Sequence, residues 1–190
     1  MPPPATLRLL QPTDGDVEAF AAHLARQLAE SGTDGRPVFA PAIDLEAFHS
    51  PEKKAHFRAR WSRPVGDGDW QRTFGAFVEG ALVGHADLRS RGLPSAHHRA
   101  LLGLGVESAH WRRGLGRALL HEAVRFARED TELAWIDLGV FAHNTHALRL
   151  YRQAGFRETG RVADLFRVRG TSVEDVQMAL PLRARSTQHA

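Results

Sequence analysis

The spacing of apolar and polar residues changes along the chain, and its first third predicts one strand and one helix. Residues 6–10, TLRLL, are typical of a short strand. Thr13 or Asp14 then provides the cap of a helix that ends before GTDGRP, a segment that breaks the helical pattern. The apolar face of this helix carries residues three or four positions apart, namely Val17, Phe20, Ala21, Leu24 and Leu28.

The next part of the chain predicts a helix and then a β-hairpin. Ser50 is a favourable cap residue, and Pro51 fits the first turn of a helix that runs to about Arg63. The loop PVGDGDW follows this helix. Two apolar stretches then flank Glu79 and Gly80, and this arrangement indicates a hairpin turn between two strands.

Strand and helix patterns alternate between residues 99 and 156. RALLGLGV predicts a buried strand, and the stretch from Gly114 to about Arg128 predicts a helix. The apolar face of that helix carries Leu115, Leu119, Ala123 and Ala127. WIDLGVF predicts a second strand and THALRLYRQA a short helix. Two more strands are expected at 156–168 and 174–181.

This order of elements predicts a single mixed α/β domain of the α+β type. Antiparallel hairpins are expected on both sides of a strand–helix–strand unit. We expect this domain to span residues 1–190, with its core at about residues 6–182 and a frayed tail at 183–190. A chain of 190 residues that is 43% hydrophobic is long enough to bury one sizeable core.

Composition narrows the location and the chemistry. The chain has no cysteine, which excludes a disulfide framework, a thiol nucleophile and a cysteine metal site. It also lacks the H-E-x-x-H pattern of zinc enzymes, so we expect no metal. No apolar run approaches the roughly 20 residues that cross a bilayer, and the N-terminal residues do not resemble a secretory signal. We therefore expect a cytoplasmic protein that has no membrane partner.

Charge gives little support to a nucleic-acid partner. The formal net charge is only +3, because 25 basic residues are nearly balanced by 22 acidic ones. Nucleic-acid binders usually gather basic residues on one face, whereas the arginines here are scattered. The exception is the arginine cluster, which consists of Arg112, Arg113 and Arg117. Binding of nucleic acid through this cluster is kept as an alternative function, although we expect no nucleic-acid partner.

The arginine cluster lies in HWRRGLGRALL, residues 110–120, between a predicted strand and a predicted helix. The first amides of a helix have no partner inside it, and the helix dipole favours negative charge there. Gly114 and Gly116 permit close approach of the backbone to a ligand, and arginines supply donors suited to phosphate. The segment therefore predicts a site for a pyrophosphate or a similar group.

Other interpretations of this segment fit less well. The glycines could simply start the helix tightly, with the arginines solvated. The chain has no G-x-x-x-x-G-K-[ST] loop for a nucleoside triphosphate. GLGVES, at 103–108, matches only half of the dinucleotide fingerprint, because a serine replaces its third glycine.

Two segments together resemble the signature segments of the GNAT superfamily of N-acetyltransferases: LLGLGVESAHWRRGLGRALLHEAVRFA and IDLGVFAHNTHALRLYRQAGF. The family's phosphate loop, Q/R-x-x-G-x-G/A, corresponds to residues 111–116, with Trp111 at the usual Gln or Arg position. The family's spacings in the second segment are matched by Asn144, Ala147, Leu150, Tyr151, Gly155 and Phe156. The resemblance implies a central mixed, mostly antiparallel sheet of about six to seven strands, flanked by about four helices.

The resemblance further implies that acetyl-CoA is the co-substrate and an amine the acceptor. Backbone amides would hold the pyrophosphate, namely those of Arg112, Arg113, Gly114, Leu115, Gly116 and Arg117. The pantetheine arm would pair with the strand edge at Leu104 and Val106, and Asn144 would contact the same arm. Because the phosphate contacts are mostly to backbone, Trp111 leaves this assignment intact, and we expect its indole to pack over the loop.

Tyr151, the only tyrosine of the chain, would by the same resemblance stand near the thioester sulfur. A neutral amine attacks the thioester carbonyl, and a thiolate leaves. A thiol has a pKa of about 8.5 and a tyrosine hydroxyl one of about 10, so Tyr151 is protonated at neutral pH. It can therefore serve as the general acid that donates a hydrogen bond or a proton to the sulfur. The alternative is a structural ring packed beside Leu148 and Phe156.

The residue that removes the amine's proton is left open by the sequence. Some relatives carry a glutamate at positions that correspond here to Ala100 and Gly139, so that role does not transfer. Each candidate by chemistry alone is expected to be a surface residue or a hairpin neighbour. These candidates are His85, His97, His98, Glu79, Glu107 and Asp137.

The acceptor is also left open. The resemblance places its cleft beside residues 32–63 and 85–99, where acidic and basic side chains are mixed. A small-molecule amine and a peptide or protein N-terminus both fit. A homodimer is compatible with the family, although no segment is typical of an oligomerisation element. A non-catalytic acyl-CoA-binding module is the alternative to an enzyme, and the presence of Tyr151 argues against it.

Overall fold

Four α-helices, seven strands and three short 3-10 helices make up the regular structure of the described residues. The structure, a computed structural model, describes residues 4–41 and 44–182, so the tail predicted at 183–190 lies outside the described residues. The strands are β1 (Thr6–Leu9), β2 (Gln71–Val78), β3 (Ala81–Ser90), β4 (Arg99–Val106), β5 (Trp135–Phe141), β6 (Arg157–Val168) and β7 (Thr171–Pro181). The helices are α1 (Asp14–Ala29), α2 (Pro51–Ser62), α3 (Leu115–Glu129) and α4 (Thr145–Gln153).

The strands form one sheet in the order β1-β2-β3-β4-β5-β7-β6. Neighbouring strands are antiparallel except for β4 and β5, which are parallel and are joined by the crossover helix α3. The predicted mixed, mostly antiparallel sheet with about four helices is therefore confirmed. Within the described part of the chain, no helix is both long enough and apolar enough to cross a membrane.

The helices cover opposite faces of the sheet. Phe20 of α1 and Trp61 of α2 share one apolar cluster with Leu82 of β3. On the other face, Leu119 of α3 and Tyr151 of α4 belong to a larger cluster with side chains of β2, β3, β4, β5 and β7. Helices α1 and α2 thus meet the sheet from one side, and α3 and α4 from the other.

The local signals that predicted these elements act as expected. Thr13 caps α1 by accepting a hydrogen bond from the amide three residues on, at 3.4 Å. Ser50 caps α2 in the same way at 3.1 Å. Glu79 and Gly80 both have positive φ, 51° and 81°, as a tight two-residue hairpin turn requires.

The last strand begins earlier than predicted. It starts at Thr171 rather than Glu174, because Arg169 and Gly170, with φ of 51° and 78°, form a tight turn directly after β6. The β6–β7 pairing also shifts register at two places. These irregularities interrupt the alternation of apolar and polar residues on which the prediction relied.

Truncating Leu119 tests how much the α3 layer contributes to stability. The side chain is fully buried, so Leu119→Ala leaves a cavity, and we expect the free energy of unfolding to fall by about 2–5 kcal/mol. Urea unfolding followed by circular dichroism measures this change. Leu93→Ala is the matched control, since Leu93 is 63% exposed, and it should change the value by less than about 0.5 kcal/mol. Equal losses in the two variants would contradict the packing role of Leu119.

Candidate active site

The loop between β4 and α3 has an unusual backbone. Arg112 has φ of 59° and Gly114, the residue before α3, has φ of 80°, so both are left-handed. Turns that contain left-handed residues can direct successive amides toward one concave surface, an arrangement that binds anions. Glycine adopts this conformation at Gly114 without strain, whereas Arg112 does so at a steric cost.

The amides of this loop have no acceptor of their own. Among the described residues, no hydrogen bond involves the backbone N–H groups of residues 112–117, and the first bond of α3 runs from the Ala118 amide to the Gly114 carbonyl at 3.0 Å. Gly114 also provides no side chain to cap the helix. Unpaired amides and the positive end of the helix dipole together form a site for an anion.

The arginine cluster adds free positive charge beside these amides. Arg112, Arg113 and Arg117 are exposed, and none of them forms an ion pair within the described residues. Many other arginines are paired, as Arg8 is with Asp16 at 2.6 Å. The cluster is therefore available to a ligand that carries several negative charges, such as a pyrophosphate.

A gap between β4 and β5 opens next to this loop. The two strands pair at only three positions, of which the last joins Leu101 to Asp137. The Glu107 amide donates to the Val83 carbonyl at 2.9 Å, so alternate β4 residues bond to β3. The backbone groups of Leu104 and Val106 consequently face the gap. The family resemblance implies that the pantetheine arm pairs with this strand edge.

The Trp111 indole is held at the end of β4, and the expectation that it packs over the loop stays a prediction. Its indole N–H donates to the Val106 carbonyl at 2.7 Å, and its ring meets the edge of Phe39 at 6.3 Å. The Val106 carbonyl is therefore already engaged. A ligand in the gap would pair with the Val106 amide and with the backbone of Leu104.

Helix α4 brings two of the predicted residues to the other strand of the gap. Asn144 caps this helix, and its side-chain oxygen accepts from the Ala147 amide at 3.1 Å. Its amide nitrogen has no partner among the described residues, so it can still donate to a ligand. The prediction that Asn144 contacts the cofactor arm is compatible with this geometry and stays a prediction.

Tyr151 is only 7% exposed, and its ring packs against Phe156 at 5.8 Å between centroids. Burial raises the pKa of its phenol above the ordinary value, so the group stays protonated. Within the described structure its hydroxyl has no hydrogen-bond partner, which leaves the donor free for a ligand. The ring is packed beside Phe156, as the structural interpretation expected, and the role of the hydroxyl as an acid stays a prediction.

Three of the proton-acceptor candidates lie away from the gap. His97 and His98 are exposed and precede β4, where that strand is still paired with β5. Glu79 occupies the exposed turn between β2 and β3. The expectation of surface positions holds for these three, and none of them lies beside the unpaired part of β4.

His85 and Glu107 belong to a buried network that the sequence did not reveal. His23 of α1 bonds to the Glu107 carboxylate at 2.8 Å and to the His85 ring at 2.9 Å. Arg26 also bonds to Glu107, at 2.9 Å. Burial lowers the pKa of both histidines, and for Glu107 the bonds from His23 and Arg26 outweigh burial and lower its pKa. His85 is a hairpin neighbour, because it lies on β3 opposite Gly75 of β2, and it is buried rather than at the surface because α1 covers it.

A cavity of about 390 Å³ begins where β4 and β5 separate. Its polar lining includes Arg91, Arg99, Asp137, Thr159, Asp175 and Gln177. Asp137, a proton-acceptor candidate, is held by Arg91 at 2.9 Å and by the Nε of Arg99 at 2.8 Å. It is 8% exposed and so is not a surface residue. Asp175 was not among the candidates, since alternation in EDVQMAL places it on a polar face without indicating burial.

Metal-binding side chains are not grouped at this site. Within residues 4–41 and 44–182, no three histidine, aspartate or glutamate side chains are arranged to hold a metal ion. The anion-binding loop, the gap and the cavity are thus built from backbone amides, arginines and isolated carboxylates.

Comparison with known proteins identifies the same segments. The Acetyltransferase (GNAT) family matches residues 41–156. The chain is 26% identical over 120 residues to the L-amino acid N-acetyltransferase AaaT of Escherichia coli (strain K12), covering 63% of this chain and 72% of that protein. It is 36% identical over 96 residues to the N-alpha-acetyltransferase RimI of Mycobacterium tuberculosis (strain ATCC 25618 / H37Rv), covering 50% of this chain and 58% of that protein.

Solved structures share the fold. The acetyltransferase of GNAT family from Streptococcus pneumoniae superimposes with a TM-score of 0.78 at 22% identity, over 94% of this chain and 99% of that chain. The acetyltransferase yncA from Salmonella typhimurium, solved with its cofactor acetyl-CoA, gives a TM-score of 0.75 at 19% identity, over 98% and 99% of the two chains.

Inorganic pyrophosphate is a direct probe of the anion-binding loop. Arg117→Gln removes one free positive charge beside the unpaired amides, and we expect the dissociation constant to rise about fivefold at low salt. Isothermal titration calorimetry measures this affinity. Arg128→Gln, at the other end of α3, is the matched control and should leave it unchanged. Equal weakening in both variants would indicate a general charge effect and contradict a local site.

The buried histidine pair predicts a dependence of stability on pH. Unfolded histidine titrates near a pKa of about 6.5, whereas burial lowers the pKa of His23 and His85 in the folded protein. As pH falls through about 6.5, the unfolded chain takes up protons that the folded pair does not. The free energy of unfolding therefore falls, by at most about 1.4 kcal/mol per pH unit for each histidine.

Urea unfolding between pH 7.5 and 5 tests this dependence. We expect His85→Gln to show a shallower decline than the wild type. His121→Gln, which changes an exposed histidine of α3, should keep the wild-type slope. If the free energy of unfolding of His85→Gln declined with pH as steeply as that of the wild type, the histidine pair would not be the cause of the loss of stability at acid pH.

Proposed function

The chain belongs to the GNAT family of acetyltransferases, acyltransferases that depend on acetyl-CoA, and on this basis we propose that it acetylates a primary amine. The acceptor is a small-molecule amine or the N-terminus of a peptide or protein. The observation that carries the proposal is the run of unpaired amides at residues 112–117 beside the gap between β4 and β5.

The residues present fit acetyl-CoA. Amides of residues 112–117 and the arginine cluster suit its pyrophosphate, and the open backbone of Leu104 and Val106 suits its pantetheine arm. Asn144 retains a free amide donor at the start of α4. Acetyl-CoA supplies a thioester, whose carbonyl carbon accepts an amine and whose sulfur leaves as a thiolate.

Tyr151 would act on the leaving sulfur. Its hydroxyl has no partner among the described residues, and burial raises its pKa, so at neutral pH it carries a proton that it can share. A hydrogen bond from this hydroxyl would stabilise negative charge as it develops on sulfur. Because the raised pKa makes complete transfer less favourable, the hydrogen bond is the larger part of the contribution.

Relatives suggest two acceptor classes. One is named an L-amino acid N-acetyltransferase, and the other an N-alpha-acetyltransferase. Both names describe acylation of an amine, and an α-amine is common to amino acids and to peptide N-termini. We therefore expect α-amines to be better acceptors than polyamines.

Release of the coenzyme A thiol tests the function. Acetyl-CoA is incubated with separate pools of L-amino acids, short peptides with free N-termini, and polyamines. The chain contains no cysteine, so a thiol-reactive dye detects only the released coenzyme A. Turnover in an α-amine pool would support the proposal. Binding of acetyl-CoA by calorimetry without turnover in any pool would support the non-catalytic acyl-CoA-binding module instead.

Tyr151→Phe removes the proposed acid and keeps the aromatic ring. We expect kcat to fall by about 10²–10⁴-fold, with the KM for acetyl-CoA changed by less than about threefold. The melting temperature should stay near that of the wild type, because the phenyl ring of the variant would fill the same space beside Phe156. An unchanged kcat would end the acid role and leave Tyr151 as a packing residue.

A further inference from the structure

Acetylation of an amine requires a proton acceptor, and the candidates with functional groups near the gap are already engaged. An ammonium group cannot attack a carbonyl until it loses a proton. Glu107 is held by His23 and Arg26, and Asp137 by Arg91 and Arg99. Any proton acceptor inferred here rests on the proposed function, since without an amine acceptor it has no substrate.

Asp175 is the free carboxylate of this region. It lies on β7, is 6% exposed and lines the cavity that begins where β4 and β5 separate. Within the described residues it has neither a hydrogen-bond donor nor an ion-pair partner. Buried carboxylates are normally paired, as Asp87 is with Arg89 at 2.8 Å. A carboxylate that lines a cavity without a partner is open to a ligand that brings its own positive charge.

Gly139 of β5 makes the position of Asp175 possible. Gly139 is exposed at the gap, and it pairs with Gln177, two residues along β7 from Asp175. A Cβ atom at residue 139 would lie 2.8 Å from one carboxylate oxygen of Asp175 and 3.1 Å from the other. The carboxylate of Asp175 thus occupies the space that a side chain at residue 139 would fill, directly beside the open strand edge.

The arginines near Asp175 are paired with other carboxylates, so the carboxylate of Asp175 stays free to accept a proton. Arg91 and Arg99 line the same cavity but are both bonded to Asp137, and on β6 Arg161 is bonded to Glu158 and Glu174. Burial raises the pKa of the Asp175 carboxyl, and no neighbouring cation offsets this effect. Asp175 is therefore a stronger base than an exposed aspartate.

We propose that Asp175 binds the ammonium group of the acceptor and takes its proton. One N–H proton moves to a carboxylate oxygen of Asp175, and the nitrogen lone pair then forms the bond to the acetyl carbon as the C–S bond breaks. The nitrogen loses its second proton as the amide forms, and this balances the proton that the leaving sulfur receives. Asp175 returns its proton to water through the cavity.

The dependence of kcat/KM on pH distinguishes this role from a structural one. The wild type accepts the ammonium form, so kcat/KM for the amine should be level between the pKa of Asp175 and that of the amine. The Asp175→Asn variant has no carboxylate to take the proton, so it reacts only with the unprotonated amine. We expect about a 100-fold loss at pH 7, which narrows by about tenfold per pH unit as pH rises. Asp175→Glu should restore part of the activity.

Two further variants sharpen the kinetic test. Gly139→Ala keeps the carboxylate but displaces it, and we expect the same pH-dependent loss with a smaller amplitude. Asp67→Asn changes an exposed aspartate in the loop before β2 and should behave as the wild type. A loss in Asp175→Asn that is independent of pH, or no loss at all, would overturn the proposal while the transferase itself stands.

Carboxyl-carbon NMR tests the ammonium site without turnover. The resonance that disappears in Asp175→Asn is titrated in the wild type with and without ethylammonium. Ethylammonium should lower its midpoint, because a bound ammonium stabilises the carboxylate. Tetraethylammonium, which has no N–H donor, should have little effect. No shift with ethylammonium would overturn the site. A shift of the midpoint with ethylammonium, but no turnover in any amine pool, would instead support the ammonium site and rule out the proposed function.

Discussion

The separation of β4 from β5 is the constraint on which the rest of the site depends. Two parallel strands that pair at three positions and then part leave backbone donors and acceptors without partners. Beyond their last shared pair, each strand stays paired on its outer side, β4 with β3 and β5 with β7. The same principle operates at residues 112–117, where amides lack acceptors. Unpaired backbone groups are thus the feature that the gap and the loop share.

The gap also connects two chemically different faces of the sheet. Tyr151 belongs to the apolar cluster under α3, together with Val176 and Met178 of β7. Asp175 alternates with Val176, so it lies on the opposite face, beside Gly139. A continuous sheet would separate a donor on one face from a carboxylate on the other. Only where β4 and β5 part can groups from both faces reach one ligand.

Local chemistry made much of this predictable from the sequence. The caps at Thr13 and Ser50, the turn at Glu79 and Gly80, and the glycine-containing loop before α3 depend on residues close together in the chain. The buried histidine network and the free carboxylate of Asp175 do not. They arise from strands and helices that are far apart in sequence. No short sequence pattern specifies the register of those strands or which helix packs over them. The sequence showed that residue 139 is a glycine and supplies no carboxylate. It did not show that β7 brings the carboxylate of Asp175 beside that glycine.

Asp175 is a carboxylate without a partner in a largely buried position, and such a position favours a ligand that brings positive charge. Burial without a partner destabilises the charged form of Asp175 and raises its pKa. An ammonium that enters the cavity would offset this penalty, and this favours the binding of a positively charged acceptor. Asp137 offers no such gain, because Arg91 and Arg99 already satisfy it. The contrast between two carboxylates in one cavity therefore separates a group that maintains the fold from one that awaits a substrate.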